Sequence, residues 1–144
     1  MGFENIPLKR EYGNQEIAAF GYVFESKEEY NWTKHLQKQL EDGLIKSWEY
    51  EPNTFIIGTT SRYGPTYYTP DFKVVGKKIG IQYHEVKAKL EQKDVKRFKK
   101  MAECYPDIYM VLVYPYPRKS GNQKRLIDNC KKYIKEIIYS RKVK

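Results

Sequence analysis

The stretch YYTPDFKVVGKKIGIQYHEVKA, residues 67–88, decides the fold of this chain. It contains two β-rich segments, 67–75 and 79–88, separated by a turn-forming run that begins at Gly76. Tyrosine, valine and isoleucine favour strands, and a short glycine-containing connection between two strands favours a hairpin. The sequence therefore predicts an antiparallel hairpin that supplies the central strands of a sheet.

Two carboxylates and a lysine that could form a metal site come together on this hairpin. Asp71 follows Pro70 in the first segment, and the second segment carries Glu85 and Lys87. Because strand side chains alternate between faces, Glu85 and Lys87 point the same way, and hairpin pairing brings Asp71 beside them. Two adjacent carboxylates repel unless a cation lies between them, and oxygen ligands without histidine suit Mg²⁺ or Mn²⁺ better than zinc. A lysine beside such an ion can hold an attacking water or neutralise a phosphate.

The same residues also permit a simpler interpretation. Glu85 and Lys87 can form an ordinary ion pair on an exposed strand, with Asp71 as a turn carboxylate. Other side chains of this region have structural interpretations as well. We expect His84 to pack behind the strand, because it has the opposite parity to Glu85. Tyr67 and Tyr68, beside Asp71, have the rings to stack on a base, but we expect them to pair across the hairpin.

The rest of the chain predicts a sheet covered by helices, an α/β or α+β fold of one domain. Residues 1–16 are interpreted as an N-terminal arm, and residues 17–24 as an apolar run of undetermined type. Cys104 and Cys130 fall on helical segments and are predicted to be buried. The predicted elements are a helix over 27–42, a strand over 45–57 interrupted at Pro52, a loop over 58–66, a helix over 92–103, a strand over 108–114 buried on both faces, and an amphipathic helix over 122–140 within a basic C-terminal region, 118–144.

The first helix carries a carboxylate on its apolar side. At 100° per residue, Glu29 lies in line with Thr33, Leu36 and Leu40. A carboxylate among core side chains is costly unless a partner satisfies it, and a metal site would supply that partner. The alternative is that Glu29 completes a capping box with Ser26, and both roles are compatible.

Charge is distributed unevenly between the two halves of the chain. Residues 1–75 hold 8 lysines and arginines against 11 acidic residues, whereas residues 76–144 hold 19 against 7. The second half therefore favours a polyanion as partner, such as a nucleic acid. With 2 cysteines and 2 histidines, zinc fingers, disulfide frameworks and histidine-dependent triads are excluded. No apolar run approaches a membrane span and no signal peptide is evident, so we expect a cytoplasmic protein.

The order of elements and three short strings resemble the PD-(D/E)xK nuclease superfamily. The strings are FESKEE at 24–29, YTPDF at 68–72 and HEVK at 84–87, and they are similar to those of phage endonuclease-I-type Holliday-junction resolvases and related small phage nucleases. The resemblance covers about residues 24–114. It implies a restriction-endonuclease-like α-β-β-β-α-β core with a central mixed sheet flanked by helices.

The resemblance also implies roles for individual residues. Asp71 and Glu85 would bind Mg²⁺, with Mn²⁺ able to substitute, and the carbonyl of Val86 would complete the shell. Lys87 would position water, and Glu29 would support the site. The implied activity is a Mg²⁺-dependent endodeoxyribonuclease, acting as a homodimer on branched DNA, in the host cytoplasm if the chain is phage-encoded.

Three alternatives stay open on the sequence alone. They are a sequence-specific duplex endonuclease of the same fold, a non-catalytic basic DNA-binding protein on a nuclease-like core, and a nucleic-acid packaging helper without a defined site. In each nuclease interpretation, basic residues around and beyond the hairpin form a track for DNA phosphates. The predicted DNA-binding residues are Lys89, Lys93, Lys96, Arg97, Lys99, Lys100, Lys124, Arg125, Lys131 and Lys132.

Overall fold

The computed structural model describes residues 17–78 and 80–143 and confirms a mixed α/β fold. A central mixed sheet of five strands is flanked by helices, as the sequence predicts. The elements, in chain order, are β1 Ile17–Ala19, β2 Tyr22–Phe24, α1 Lys27–Glu41, β3 Ile45–Tyr50, β4 Phe55–Thr60, β5 Gly64–Tyr68, β6 Phe72–Gly76, β7 Ile81–Val86, α2 Gln92–Cys104, β8 Met110–Tyr114, α3 Gly121–Cys130 and β9 Glu136–Tyr139.

The central sheet has the strand order β3-β6-β7-β8-β9. The predicted hairpin is present as β6 and β7, paired antiparallel with Phe72 opposite His84. β3 pairs antiparallel with β6, whereas β7 to β8 and β8 to β9 are parallel. The start of β6 and the end of β7 therefore lie at the same end of the sheet.

β8 shows how the two faces of the sheet are filled. All five of its residues are buried, as predicted for a strand covered on both sides. Met110, Leu112 and Tyr114 pack in one cluster with side chains of α2 and α3, and Val111 and Val113 pack in another with side chains of α1. This alternation has the strand period of two, so α1 covers one face and the other two helices cover the opposite face.

The first helix begins where the sequence predicts. The Oγ atom of Ser26, the N-cap residue, accepts a hydrogen bond of 3.1 Å from the backbone N–H of Glu29. Glu29, Trp32, Thr33 and Leu36 form its buried side. The predicted burial of Glu29 is therefore confirmed.

The predicted helix over 122–140 is wrong in its second half. α3 ends at Cys130, and the chain then forms β9, in which Ile137 pairs with Leu112 of β8. The apolar spacing from Leu126 onward fits a helix, but isoleucine and tyrosine fit a strand equally well. The open edge of β8 needs backbone partners, and a strand supplies them. A C-terminal helix over 118–144 is accordingly corrected to a helix followed by an edge strand.

The predicted loop over 58–66 is also wrong. β4 and β5 form a hairpin through this region, with the turn at residues 61–63. Gly64 has a φ of 73°, a backbone conformation that glycine adopts without strain. The segment 67–75 is likewise two strands rather than one, since β5 ends before Pro70, which has no N–H to donate to a strand ladder.

The remaining predictions concern the burial of the two cysteines and the structure of the N-terminal region. Cys130 is buried as predicted, whereas Cys104 is exposed near the end of α2, so its predicted burial is wrong. The apolar run 17–24 forms the hairpin of β1 and β2. The predicted arm, 1–16, lies outside the described residues. Across the part of the chain that is described, no helix is long and apolar enough to cross a membrane.

Candidate active site

Asp71 lies immediately before β6, at the end of the sheet where β7 finishes. Its Oδ2 atom accepts a hydrogen bond of 2.8 Å from the backbone N–H of Val86, the last residue of β7. Burial, followed by the negative charges of Glu85 and Glu29, raises the pKa of Asp71 well above its ordinary value, against the opposing effect of the Val86 N–H. The structure therefore brings Asp71 into the electrostatic reach of both other carboxylates.

Glu85 points from β7 into the face covered by α2. Its side chain is almost wholly buried, and its Oε1 atom accepts a hydrogen bond of 2.7 Å from the hydroxyl of Tyr68. Burial raises the pKa of Glu85 to about 7, although the Tyr68 hydrogen bond and the positive charges of Lys87 and Arg97 lower it in part. A carboxylate with this pKa is only partly ionised at neutral pH unless a cation is added.

Lys87 follows β7 and stands between two carboxylates. Its Nζ atom is 3.8 Å from Oε2 of Glu85 and 3.3 Å from Oδ1 of Asp94. Burial by itself lowers the pKa of Lys87, but Glu85, Asp94 and Asp71 outweigh burial and raise it. Lys87 therefore stays positively charged beside Glu85, which is the arrangement that the sequence predicts.

Glu29 enters the site from α1. Its Oε1 atom accepts hydrogen bonds from the hydroxyl of Tyr50 at 2.7 Å and from the backbone N–H of Glu25 at 3.1 Å. The Glu29 carboxylate therefore binds the backbone N–H of Glu25, whereas in a capping box it would bind the backbone N–H of Ser26. Glu29 also contributes to the raised pKa values of both Asp71 and Glu85, so it faces the other two carboxylates.

Asp94 is a member of the site that the sequence interpretation missed. It is 2% exposed on α2, where its Oδ2 atom accepts a hydrogen bond of 2.8 Å from the backbone N–H of Glu91. Its Oδ1 atom is buried and faces Lys87 at 3.3 Å and Arg97 at 3.8 Å. Among the described residues, no donor is placed to give this oxygen a hydrogen bond. Asp94 lies four residues before the buried Phe98, so the helical periodicity that located Glu29 locates it too.

Tyr68 is the second missed residue. The sequence predicts that it pairs across a hairpin, and it does pair with Phe55, but across β4 and β5. Its hydroxyl is committed to Glu85, and its ring lies 5.3 Å from the guanidinium of Arg97. Arg97 is therefore anchored at the site, close to Glu85, in addition to belonging to the predicted basic track.

His84 has the structural role that its parity predicts. It is 3% exposed on the α1 face, where its Nδ1 atom accepts a hydrogen bond of 3.1 Å from Nε1 of Trp32. Burial, and then the charge of His35, lower the pKa of His84 to about 3. A neutral imidazole that is fixed behind the sheet is not placed to act on a substrate at Glu85.

A cleft of about 620 Å³ opens at this end of the sheet. Glu29 and Glu28 of α1 line one side, and Val86, Lys87 and Lys89 line the other. Lys89 is exposed in the bend after β7. The cleft gives solvent and a charged ligand a route to Lys87.

The predicted DNA-binding residues divide between two helices that share one face of the sheet. On α2, Arg97 is half-buried, and the lysines are exposed at positions 93, 96, 99 and 100. On α3, Lys124 pairs with Asp128, and Arg125 donates a hydrogen bond of 2.6 Å to Asn122. Lys131 also faces Asp128, at 3.8 Å, and Lys132 is exposed beyond the end of the helix. Asp128 offsets part of the positive charge of α3, as Glu91, 3.7 Å from Lys93, does at the start of α2.

The predicted metal donors, Asp71, Glu85 and the carbonyl of Val86, are hard oxygen atoms, and of these residues Val86 lines the cleft. Among residues 17–78 and 80–143, no three histidine, cysteine, aspartate or glutamate side chains are already arranged around a common metal position. The predicted ligand set is of another kind, two carboxylates and the main-chain carbonyl of Val86. Burial raises the pKa of both Asp71 and Glu85, and the negative charges of neighbouring carboxylates add to the effect. A divalent cation fits such a pair, because its charge stabilises the ionised form of both.

In comparisons with known proteins, no family model matches the chain and no curated protein matches it significantly.

Proposed function

We propose that this chain is a metal-dependent DNA endonuclease that hydrolyses phosphodiester bonds, as the PD-(D/E)xK nucleases that its sequence resembles do. The observation that carries the proposal is the burial of Asp71 and Glu85 side by side next to Lys87. Burying like charges together costs stability, whereas amides or apolar side chains in the same positions would not. Such a set is typical of a site that a cation and an anionic substrate complete.

The metal would be held by Asp71 and Glu85, with the carbonyl of Val86 as a third ligand. Mg²⁺ fits these hard oxygen donors, and Mn²⁺ accepts the same ligands. When bound, the ion supplies a Lewis acid for a phosphate oxygen and lowers the pKa of a water molecule. The hydrogen bond from Val86 to Asp71 orients one ligand, and that from Tyr68 to Glu85 orients the other.

In addition to the metal ion, the side chains of Lys87 and Arg97 would supply positive charge at the site. During hydrolysis, the oxygen of water loses a proton to solvent and bonds to phosphorus, the bond from phosphorus to the leaving deoxyribose oxygen breaks, and that oxygen takes up a proton from solvent. Negative charge builds on the phosphoryl oxygens as this happens. The Lys87 ammonium lies in the cleft beside Glu85, where it can donate hydrogen bonds to the attacking water or to these oxygens.

DNA would be held by the exposed lysines of α2. This helix begins next to the carboxylates and carries lysines at 93, 96, 99 and 100, so phosphates of a DNA backbone along the helix would end at the cleft. Neutralising phosphates releases counterions and favours binding whatever the base sequence. A homodimer stays a prediction within this proposal.

The test is cleavage of labelled DNA by the purified protein. A four-way junction and the matching linear duplex are incubated with and without Mg²⁺. We expect cleavage that requires Mg²⁺, stops in EDTA, and is absent in Asp71→Asn. Cleavage that persists in EDTA would contradict the metal assignment. Tight DNA binding without cleavage under any divalent ion would instead support the non-catalytic DNA-binding alternative.

A further inference from the structure

The hairpin of β4 and β5 has one face in the core and one face in solvent. Within the described chain, these strands form a separate two-stranded sheet. Phe55, Ile57 and Tyr68 point inward and pack with the cluster below α2 and α3. Ile56 and Tyr67 are register partners and therefore lie together on the outward face.

Exposed apolar and aromatic side chains are concentrated on this hairpin. Ile56 is 47% exposed, Tyr67 61% and Tyr63, in the turn, 79%. These are three of the seven large hydrophobic side chains that are exposed in the described part of the chain. Isolated exposed side chains are ordinary, but a group on one short element marks an interaction surface.

The charge of the hairpin favours an anionic partner. Residues 54–69 contain no aspartate or glutamate, and Arg62 is their one charged residue. The guanidinium of Arg62 lies 5.4 Å from the centre of the Tyr63 ring. Exposed tyrosines beside arginine, without a carboxylate, are the combination that stacks on nucleobases.

The hairpin is fixed to the surfaces that the proposed function uses. The hydroxyl of Tyr105, which follows α2, donates a hydrogen bond of 3.0 Å to the carbonyl of Ile56. Near the middle of the same helix, the guanidinium of Arg97 lies over the ring of Tyr68, whose hydroxyl is bonded to Glu85. The hairpin is therefore held against α2, and Tyr67 on its outward face is the chain neighbour of Tyr68, whose hydroxyl contacts Glu85.

We propose that Tyr67 on the outward face of the β4–β5 hairpin, together with Tyr63 in its turn, stacks on unpaired bases of a DNA substrate whose phosphates follow α2. A tyrosine ring stacks on any base, but in a continuous duplex the base faces are already stacked on each other. The substrate class is therefore DNA with unpaired bases next to a duplex, as in a flap or a branch. This inference rests on the proposed nuclease function for its biological meaning, while the binding that it describes can be measured separately.

The experiment measures binding in EDTA, so that cleavage does not interfere. One probe is a flapped duplex with 2-aminopurine among its unpaired bases, and the other is a fully paired duplex with the same number of phosphates. We expect the protein to quench 2-aminopurine in the flap. Tyr67→Leu should raise the Kd for the flap about 5-fold or more, with little change for the duplex, because the stacking interaction is removed while the phosphate interactions remain.

Three variants separate stacking from a structural effect. Tyr67→Phe keeps the ring and should bind the flap as the unchanged protein does, and Tyr63→Leu should resemble Tyr67→Leu. Tyr116→Leu is the matched control, since Tyr116 is 51% exposed outside the hairpin. An equal loss of flap and duplex binding in Tyr67→Leu, or an equal effect of Tyr116→Leu, would overturn the proposal.

The remaining outcomes distinguish this inference from the proposed function and from another occupant. Quenching that depends on Tyr67 in a protein that never cleaves DNA would support the stacking surface and reject the nuclease. If Tyr67→Leu cleaved the flap as fast as the unchanged protein does, and the duplex as fast as well, the result would support the nuclease and reject the stacking surface. A change in self-association in Tyr67→Leu, measured by sedimentation, with unchanged DNA binding would assign the face to a second copy of the chain instead.

Discussion

The carboxylate of Asp71 accepts a hydrogen bond from the backbone N–H of Val86, at 2.8 Å. This bond joins the start of β6 to the end of β7, so it fixes Asp71 next to Glu85 independently of any metal. An asparagine at position 71 would keep an acceptor oxygen for Val86 while removing the charge. The site can therefore be tested by amide substitutions that preserve its hydrogen bonds.

Asp71→Asn and Glu85→Gln should bind DNA and fail to cut it, because each removes a ligand of the proposed metal. Without metal, both variants should also have a larger free energy of unfolding near pH 8. Burial raises the pKa of both carboxyl groups, so keeping either one in the folded protein costs stability at that pH, and an amide does not ionise. Urea denaturation in EDTA measures this, with the exposed Asp107→Asn as control. Loss of stability together with loss of cleavage would indicate a purely structural role.

Lys87→Ala should lower the rate of cleavage at saturating DNA by ~10²-fold or more, with little change in the Kd for DNA. The reason is that its ammonium lies beside Glu85 in the cleft and not on the exposed face of α2. Single-turnover kinetics measure the rate, and filter binding in EDTA measures the affinity. Cleavage at the parental rate would assign Lys87 to an ordinary ion pair.

Asp94→Asn should separate the two roles of this side chain. The amide oxygen of asparagine can still accept the hydrogen bond from the Glu91 N–H, so the first turn of α2 should stay folded and Tm should change little. The negative charge facing Lys87 and Arg97 is removed, and we expect cleavage to slow ~10-fold or more because both cations are less firmly positioned. Asp94→Ala should lower Tm as well, because it removes the cap. Equal cleavage rates in Asp94→Asn and the parent would show that Asp94 only caps the helix.

Replacing Lys96, Lys99 and Lys100 together by alanine should weaken DNA binding and flatten its dependence on salt. Removing one lysine–phosphate interaction should reduce the slope of log K against log salt by ~0.9, so the slope should fall by up to about three units. The matched control replaces Lys27, Lys34 and Lys38, which are exposed on α1 across the sheet. Equal effects of the two triple changes would mean that binding depends only on total charge.

His84 should make stability depend on pH. Its pKa is about 3 in the folded protein and about 6.5 when unfolded, so below pH 6.5 the unfolded chain binds a proton that the folded chain does not. The contribution to stability is therefore complete above pH 6.5 and is lost as the pH falls. Relative to His84→Asn, which keeps an acceptor for Trp32, the parent should lose about 1 kcal/mol between pH 7 and 5.5 in urea denaturation. Parallel pH curves for the two proteins would contradict this assignment.

Local sequence determined the elements whose patterns have a single interpretation. Ser26 with its helical apolar stripe determined α1, the valine-rich run determined β8, and the strand parity around Glu85 determined which side chains face α2. The convergence of Asp71, Glu85 and Lys87 also followed from the sequence. A hairpin with a short turn has few possible registers, so its pairing is nearly a local property.

Tertiary structure alone decided the rest. The segment around Ile137 fits a helix or a strand by itself, and the unpaired edge of β8 makes it a strand. Tyr68 and Asp94 became part of the site because a separate hairpin and a following helix pack onto the same face of β7 as Glu85. These interactions join residues far apart in the chain, and their free energy comes from burial that exists only once the sheet is assembled. Helical periodicity places Asp94 on the buried side of α2, but no local pattern places it beside Lys87, or Tyr68 beside Glu85.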